Sequence, residues 1–486
     1  MPALNRVLPE VAVADLDAYV AAGGGRALDT ARTVGGDAVV ATLEAAGLRG
    51  RGGAGFPTFR KWATVRDYGA GAADPPTVVV NGAEGEPGSF KDRMLLRRDP
   101  FRVIEGALVA AHAVGARRVV VAVKQSFSPE IARVRAAIEA ITAAGWNGDV
   151  DIEVFGGPAS YLYGEETALL EVLDGRPPFP RVTPPFRRGV EEVPVPGDDA
   201  PGRSAAGVEL AGPSTAADGI PTLVDNVETV AHVTGVVAEG ADWFRELGTA
   251  DSPGTVVCTV SGDAPRHGVA EFAMGTPLRE VLAVVGDVDP ERVAAVMPGV
   301  SAAWLTGDDL DIPLTHEDFA GAGSGLGTAG FIVLDRDTDL LAVAAGVARF
   351  LAVESCGQCT PCKQDGRVIA EGLASMLEQT TERDRRRAEV DAALLTVADE
   401  ARCALAGQQQ DAVGTALARF DTTAAASDHD RTSAPPIVAP IRDLDGDRFV
   451  LDTAELDKQP DWTTDDTDSG QAPADRLGAG APAPGS

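Results

Sequence analysis

Among the 486 residues there are only five cysteines, five methionines, five tryptophans and four tyrosines, and few of the basic residues are lysine. No run of about eighteen consecutive apolar residues occurs, which excludes a transmembrane helix. The stretch from Met1 to Val20 carries acidic residues and lacks both a basic n-region and an apolar h-region, so no export signal is expected. Positive charge is also short: the formal net charge is −31, which excludes nucleic acid as a partner because phosphate would be repelled. The odd cysteine count, with three thiols in one tight cluster, points to metal or redox chemistry in a reducing compartment rather than a disulfide framework. A cytoplasmic location is the expectation. A hydrophobic content of 44% over this length is enough for several cores, and three or four domains are predicted.

What the chain does have is glycine where it matters. Gly50, Gly52, Gly53 and Gly55 strip side chains from a short loop, so its N–H groups can close on a phosphate or a flat ring system. Arg51, Arg60 and Lys61 bring positive charge to the same stretch. The loop formally matches the dinucleotide fingerprint, but a helical pattern (Val39 to Leu48) precedes it instead of the strand that fingerprint requires. A flexible linker is the plain alternative.

Further along, apolar β-branched runs at Thr77–Asn81, Val119–Lys124 and Asp151–Phe155 alternate with helical patterns at Phe101–Val114 and Pro129–Ala144. This alternation predicts a wound α/β layer with ligands at the strand C-termini. A proline-rich connector from Pro177 to Pro201 reads as a stiff, extended surface segment. A second α/β piece is expected over about 250–335, with a strand at Thr255–Ser261, a turn around Gly268 and a helix at Pro277–Val285. A helical section follows from Asp339 to about Phe420. The acidic remainder is predicted to be mostly disordered, with a short docking hairpin within Ile437–Leu451 and a partner protein as its expected seat.

Cys356, Cys359 and Cys362 recur at intervals of three in a segment containing Gly357 and Pro361. Such a loop wraps three corners of a cubane cluster, and Cys403, beyond what read as two helices, is the plausible fourth ligand. Structural zinc is the alternative, although paired Cys-x-x-Cys knuckles would be usual for it. Cys258, inside an apolar strand-like run, reads as a small buried hydrophobe.

Two acidic segments follow strands. The loop containing Asn81, Glu84 and Glu86 is placed to line a ligand crevice, or else is a solvated turn. The segment Tyr161–Thr167 puts Glu165 and Glu166 at a helix start, where the helix dipole alone would also explain them.

Taken together, GLRGRGGAGFPT, NGAEGEPGSFKDR, YLYGEETALLEVLDG, NVET and ESCGQCTPC occur in an order and spacing that resemble the NADH-binding flavoprotein subunit of respiratory complex I. The related diaphorase subunits of NAD-linked hydrogenases and formate dehydrogenases share them. The resemblance spans about residues 40 to 420. It implies a Rossmann-like FMN domain (1–240), a ubiquitin-like α+β domain (241–337), a helical [4Fe–4S] domain (338–420) and a disordered acidic tail (421–486). It implies FMN contacts at Gly50, Arg51, Gly52, Gly53, Lys61, Asn81, Glu84, Tyr161, Gly164, Glu165, Asn226 and Thr229. Phe56 and Phe186 would sandwich the adenine of NADH, Glu86 and Glu166 would lie near its ribose and nicotinamide, and Cys356, Cys359, Cys362 and Cys403 would hold the cluster. Departures from the family pattern are Ala83 for Asp, Gly85 for Ser, Thr64 for an adenine-stacking aromatic, Thr183 for Lys and Asp225 for Asn. The implied reaction moves hydride from NADH to FMN and single electrons to the cluster, then to a thioredoxin-like [2Fe–2S] subunit, a ferredoxin or another electron-transfer partner; the reverse reaction is equally compatible. A second reading keeps fold and cluster but has lost productive NADH binding.

Overall fold

In the computed structural model, residues 3–72, 74–181, 220–378, 382–420 and 438–460 are described. Most of the proline-rich connector, with Thr183 and Phe186, lies outside the described residues.

Valine-rich runs dictate the first layer. Strands β1 (Thr77–Gly82), β2 (Arg118–Lys124), β3 (Asp151–Gly157) and β4 (Thr222–Asn226) form a wholly parallel sheet in the order β3-β2-β1-β4. Such strands are apolar on both faces because both are covered by helices. Val78, Val80, Val119 and Val121 pack into one core with Leu108 and Val230, while Val79, Val120 and Val224 pack into another with Tyr163, Leu169 and Leu170. After β3 the chain returns past β1 to lay β4 on its far side. The order therefore reverses between β1 and β4, and a crevice opens at their C-terminal ends.

The second sheet contains β5 (Thr255–Gly262), β6 (Gly268–Ala273), β7 (Val293–Pro298), β8 (Leu305–Thr306) and β9 (Gly330–Asp335), ordered β6-β5-β9-β7-β8. Strands β5 and β9 run parallel and the other pairs antiparallel. The expected turn around Gly268 lies just before it, over residues 263–267, and Gly268 itself pairs with Val260 as the first residue of β6. A Cβ there would stand 3.2 Å from Val285 of the helix Leu278–Gly286, so the glycine serves close packing, not the bend. Cys258 is fully buried in the core of this sheet.

Helices Leu340–Glu354, Thr360–Glu378 and Arg383–Thr396 pack with a last helical run, Leu405–Arg419, whose middle turn (Gln409–Gly414) is a π-helix. Leu351, Ile369, Leu373, Val390 and Val413 form their shared core. Among the described residues no helix is long and apolar enough to cross a membrane.

Within the acidic tail, β10 (Ile441–Asp445) and β11 (Arg448–Leu451) make the hairpin, turning through Gly446 at φ 60°. This hairpin docks on its own chain. The Phe449 ring lies 5.3 Å from Phe90 and 5.6 Å from His267, and Arg93 donates to the Ile441 carbonyl at 2.9 Å. Arg349 then donates to the carbonyls of Leu456 (2.7 Å) and Lys458 (2.8 Å). One short segment thus fastens the parallel sheet's helices, the second sheet and the helical bundle. Deleting everything after Phe420 is expected to lower the thermal midpoint by roughly 5 °C or more, since a clasp worth a few kcal/mol is lost; an unchanged midpoint in scanning calorimetry would show the clasp to be idle.

Candidate functional site

The glycine loop sits over the crevice between β1 and β4. A bridge between Arg49 and Pro57 closes its base, with Gly50 N–H donating to the Phe56 carbonyl at 2.8 Å. Arg51 N–H donates to Thr229 Oγ1 at 2.8 Å, at the start of helix Val227–Glu239. Gly53 (φ 121°) and Gly55 (φ 60°) adopt backbone angles that other residues avoid. A Cβ on Gly52 would lie 3.2 Å from Asn226, so the loop is pressed against the end of β4. Among the described residues the N–H groups of Gly52, Gly53, Ala54 and Gly55 have no acceptor. Unused donors beside a helix N-terminus fit a phosphate or flavin edge. Phe56, 44% exposed, presents its ring to solvent at the loop's base.

Lys61 enters the crevice from helix Thr58–Gly69. Its ammonium donates to Glu166 Oε1 at 2.8 Å and to the Val224 carbonyl at 2.9 Å, and lies 4.0 Å from Asp225 Oδ1. Burial pulls the ammonium's pKa down, but Glu166 and Asp225 outweigh that and hold it above its ordinary value. Asp225 accepts the Trp62 indole N–H at 2.6 Å, and burial pushes its carboxyl up to about 6. Asn81 donates to the Gly164 carbonyl at 2.8 Å, joining the loops after β1 and β3.

Several residues expected to face a ligand have their side chains engaged elsewhere. Arg51 turns its guanidinium toward the carbonyls of Thr255 (3.2 Å) and Pro253 (3.3 Å), docking the loop on the second sheet. Glu84 caps helix Lys91–Arg98, accepting from Ser89 Oγ (2.6 Å) and the N–H groups of Asp92 and Arg93. Glu165 caps helix Glu166–Leu173 through the N–H groups of Thr167 and Ala168. Glu86 is buried against the second sheet, accepting from Val300 N–H (3.2 Å) and Thr328 Oγ1 (3.0 Å); burial raises its carboxyl above the usual range. Tyr161 sends its hydroxyl to Gln408 at 3.2 Å in the helical bundle.

Sequence reading missed what anchors the floor of the crevice. Lys91, fully buried, is ion-paired with Asp92 (2.7 Å) and Glu228 (3.0 Å) and donates to Asn226 Oδ1 at 3.1 Å. Asn226 also donates to Asp92 Oδ2 at 2.7 Å and accepts from Glu228 N–H, capping its helix. The signal was present: Glu228 stands among apolar residues of a helix that is buried nearly all round.

The four expected ligands meet. Cys356, Cys359, Cys362 and Cys403 line one recess together with Leu162, Pro180, Gln358, Arg402 and Leu405. Helices Thr360–Glu378 and Arg383–Thr396 form the out-and-back that returns Cys403 beside the loop. Gln358 Nε2 donates to Cys356 Sγ and Ser355 Oγ contacts Cys362 Sγ, both at 3.3 Å. Such outer bonds orient thiolate ligands and tune their potential. Burial pushes the Cys362 thiol up to about 11, so cluster assembly must displace bound protons. Among the described residues no three His, Cys, Asp or Glu side chains are arranged to hold one ion. Four thiols lining one recess suit a multi-iron cluster.

The crevice and the recess share a wall. In the loop after β3, the Gly164 carbonyl is bonded to Asn81, Leu162 lines the cysteine recess, and Tyr161 N–H donates to Glu354 at 2.7 Å, two residues before Cys356.

Comparison with known proteins converges on the same assembly. A family described as "Nuo51 FMN-binding domain" matches residues 43–235, and one described as "NADH-ubiquinone oxidoreductase-F iron-sulfur binding region" matches residues 342–427. The second NADH-quinone oxidoreductase F-type chain of Rhizobium meliloti is 36% identical over 364 residues, 72% of this chain and 79% of that protein. The corresponding F-type chain of Mycobacterium tuberculosis is 37% identical over 352 residues, 70% and 74% respectively. A crystal structure of an NAD+-reducing [NiFe]-hydrogenase in its H2-reduced state superposes with a TM-score of 0.69 at 31% identity, over 86% of this chain and 68% of that one. The chain belongs to the family of NADH-quinone oxidoreductase F-type chains.

Proposed function

We propose that the chain is the electron-input subunit of a larger oxidoreductase, oxidising NADH through FMN and a [4Fe–4S] cluster. FMN bound there would supply an acceptor for a hydride's electron pair that can give electrons up singly, and a cluster held by the four thiols would supply one-electron acceptance. The side chains supply binding, orientation and charge. The free N–H groups of Gly52 to Gly55 and the start of helix Val227–Glu239 hold the flavin's anionic end. Lys61 and Asn81 fix its position, and Phe56 offers a face for stacking the dinucleotide's base. Glu166, partly exposed and held by Lys61, orients the nicotinamide ribose. The chemistry asks for no nucleophile or general base. Cys356, Cys359, Cys362 and Cys403 hold the cluster.

The observation that carries this reading is the shared wall at residues 161–164, which leaves a single loop between the glycine-rich crevice and the four thiols. The second sheet supports a ubiquitin-like reading of residues 241–337. Numbered within the unit its strands run 2-1-5-3-4, with helix Leu278–Gly286 between the second and third. We read 1–240 as the FMN unit, 338–420 as the cluster unit and 421–486 as a tail, of which residues 438–460 clasp them. The electron acceptor is a partner polypeptide, a thioredoxin-like [2Fe–2S] subunit or a ferredoxin, and the chain works in the cytoplasm or peripherally at a membrane through that complex.

Glu166→Gln tests the assignment. Losing one charge-assisted contact costs about 1.5–3 kcal/mol, so the KM for NADH in ferricyanide reduction is expected to rise about tenfold or more, with FMN content unchanged. A variant with the parent's KM would remove Glu166 from the dinucleotide site. A parent protein that binds no FMN would remove the flavin.

A further inference from the structure

Asp225 poses a problem that its neighbours do not solve. Its side chain is 7% exposed, wedged at the end of β4 between Trp62 and Lys61. The indole bond at 2.6 Å does not require a charge, since an asparagine oxygen would accept the same N–H. Nor does Lys61 require it as a counter-ion, because Glu166 at 2.8 Å and the Val224 carbonyl at 2.9 Å already engage that ammonium. The group therefore holds two carboxylates against one ammonium, and the second of them is buried at a cost. That cost shows in the carboxyl, which burial pushes up to about 6. Trp62, fully buried, fixes the carboxylate in place. Charged groups retained against their desolvation cost, in a cleft and beside a specific partner, mark functional positions.

We propose that Asp225 is a positioning residue that acts through Lys61: a fixed negative charge that partly cancels the ammonium facing the flavin crevice and so lowers the reduction potential of bound FMN. The inference rests on the flavin reading given above. Two-electron reduction transfers a hydride's electron pair and its proton to the flavin, which leaves one added negative charge in the crevice. Lys61 opposes that charge less when Asp225 shares it. The consequence is a flavin that returns hydride to NAD+ more readily than one beside a neutral amide.

The test is the midpoint potential of FMN bound to the full chain, titrated anaerobically against indicator dyes. Asp225→Asn is expected to favour reduced flavin about tenfold or more, a rise of about 30 mV for a two-electron couple. Asp225→Glu, which keeps the charge, is expected to restore the parent's equilibrium to within about twofold. Lys61→Gln, which removes the positive charge, is expected to shift the potential the other way, so the sign can be read even if Asp225→Asn folds poorly. A purely structural role for Asp225 would not give opposite shifts. If FMN binds to every variant and Asp225→Asn leaves the potential unchanged, the inference is overturned while the flavin reading stands. If neither parent nor variants bind FMN, the flavin reading itself is overturned, and this inference with it.

Discussion

Cys403→Ser is expected to empty the cluster recess of iron and sulfide while leaving FMN in place. Cys403 reaches the recess only because helices Thr360–Glu378 and Arg383–Thr396 run out and back, and the other three thiols come from one short loop. Changing even an outer partner of a metal ligand typically costs 10–100-fold in affinity; removing a thiolate and offering a hydroxyl in its place is expected to cost more. The flavin should be spared, because the crevice is built mainly from the glycine loop and the ends of β1 and β4, which Cys403 does not touch, and only the loop after β3 is shared with the recess. Cys258→Ser serves as the control: that thiol is fully buried in the second sheet's core, so iron content should not change. Iron, acid-labile sulfide and flavin assays on anaerobically purified protein check all three statements. Full iron in Cys403→Ser would mean that another group closes the cluster.

Lys91→Met is expected to cost the most in stability. The ammonium is fully buried and ion-paired with Asp92 and Glu228, which come from two different helices. Breaking a buried pair by removing one partner costs about 3–5 kcal/mol, because the remaining charge stays buried without compensation. The effect should carry a pH signature. Burial alone would raise it, but Lys91, His232 and Arg51 together outweigh burial and hold the Glu228 carboxyl down at about 2 from an ordinary 4.5. The unfolded chain therefore takes up this proton first as pH falls. The stabilisation is complete above pH 4.5 and is lost between there and about 2. In Lys91→Met that window should shrink, since the carboxylate loses the largest of the attractions that hold it down. Urea unfolding across the acidic range compares the two proteins, and equal acid dependence would show that Lys91 does not hold Glu228. Because Lys91 also bonds Asn226, which abuts Gly52, the variant should bind FMN more weakly as well.

Much of this is legible in the chain because its signals are local. The buried valine runs of β1 and β2 read as strands, the interval of three between Cys356, Cys359 and Cys362 reads as a cluster loop, and Cys403 stands out by position. Strand β4 is not anticipated: Thr222–Asn226 is only five residues long and gains its place from pairing with β1, which sequence periodicity does not register. The acidic side chains are the least legible. Glu84 and Glu165 are expected at the ligand, yet each caps a helix with oxygens that would otherwise be free to face it, and Glu86 is turned to the second sheet. A carboxylate in a loop after a strand looks the same in sequence whether it meets a ribose or a helix N-terminus. Asp225 reads in sequence as a departure from the family's Asn; the structure adds that Trp62 and Lys61 surround it.

The central claim is that electrons enter at the glycine-rich crevice and leave through the four thiols across the wall formed by residues 161–164. Anaerobic titration of the FMN- and iron-loaded chain with NADH, following flavin absorbance and low-temperature electron paramagnetic resonance on the same samples, addresses it directly. The account predicts that flavin bleaching is accompanied by the signal of a reduced [4Fe–4S] cluster, and that Cys403→Ser bleaches without that signal. A flavin that stays oxidised under excess NADH, or a cluster that stays silent in the parent however far the flavin is reduced, would contradict it.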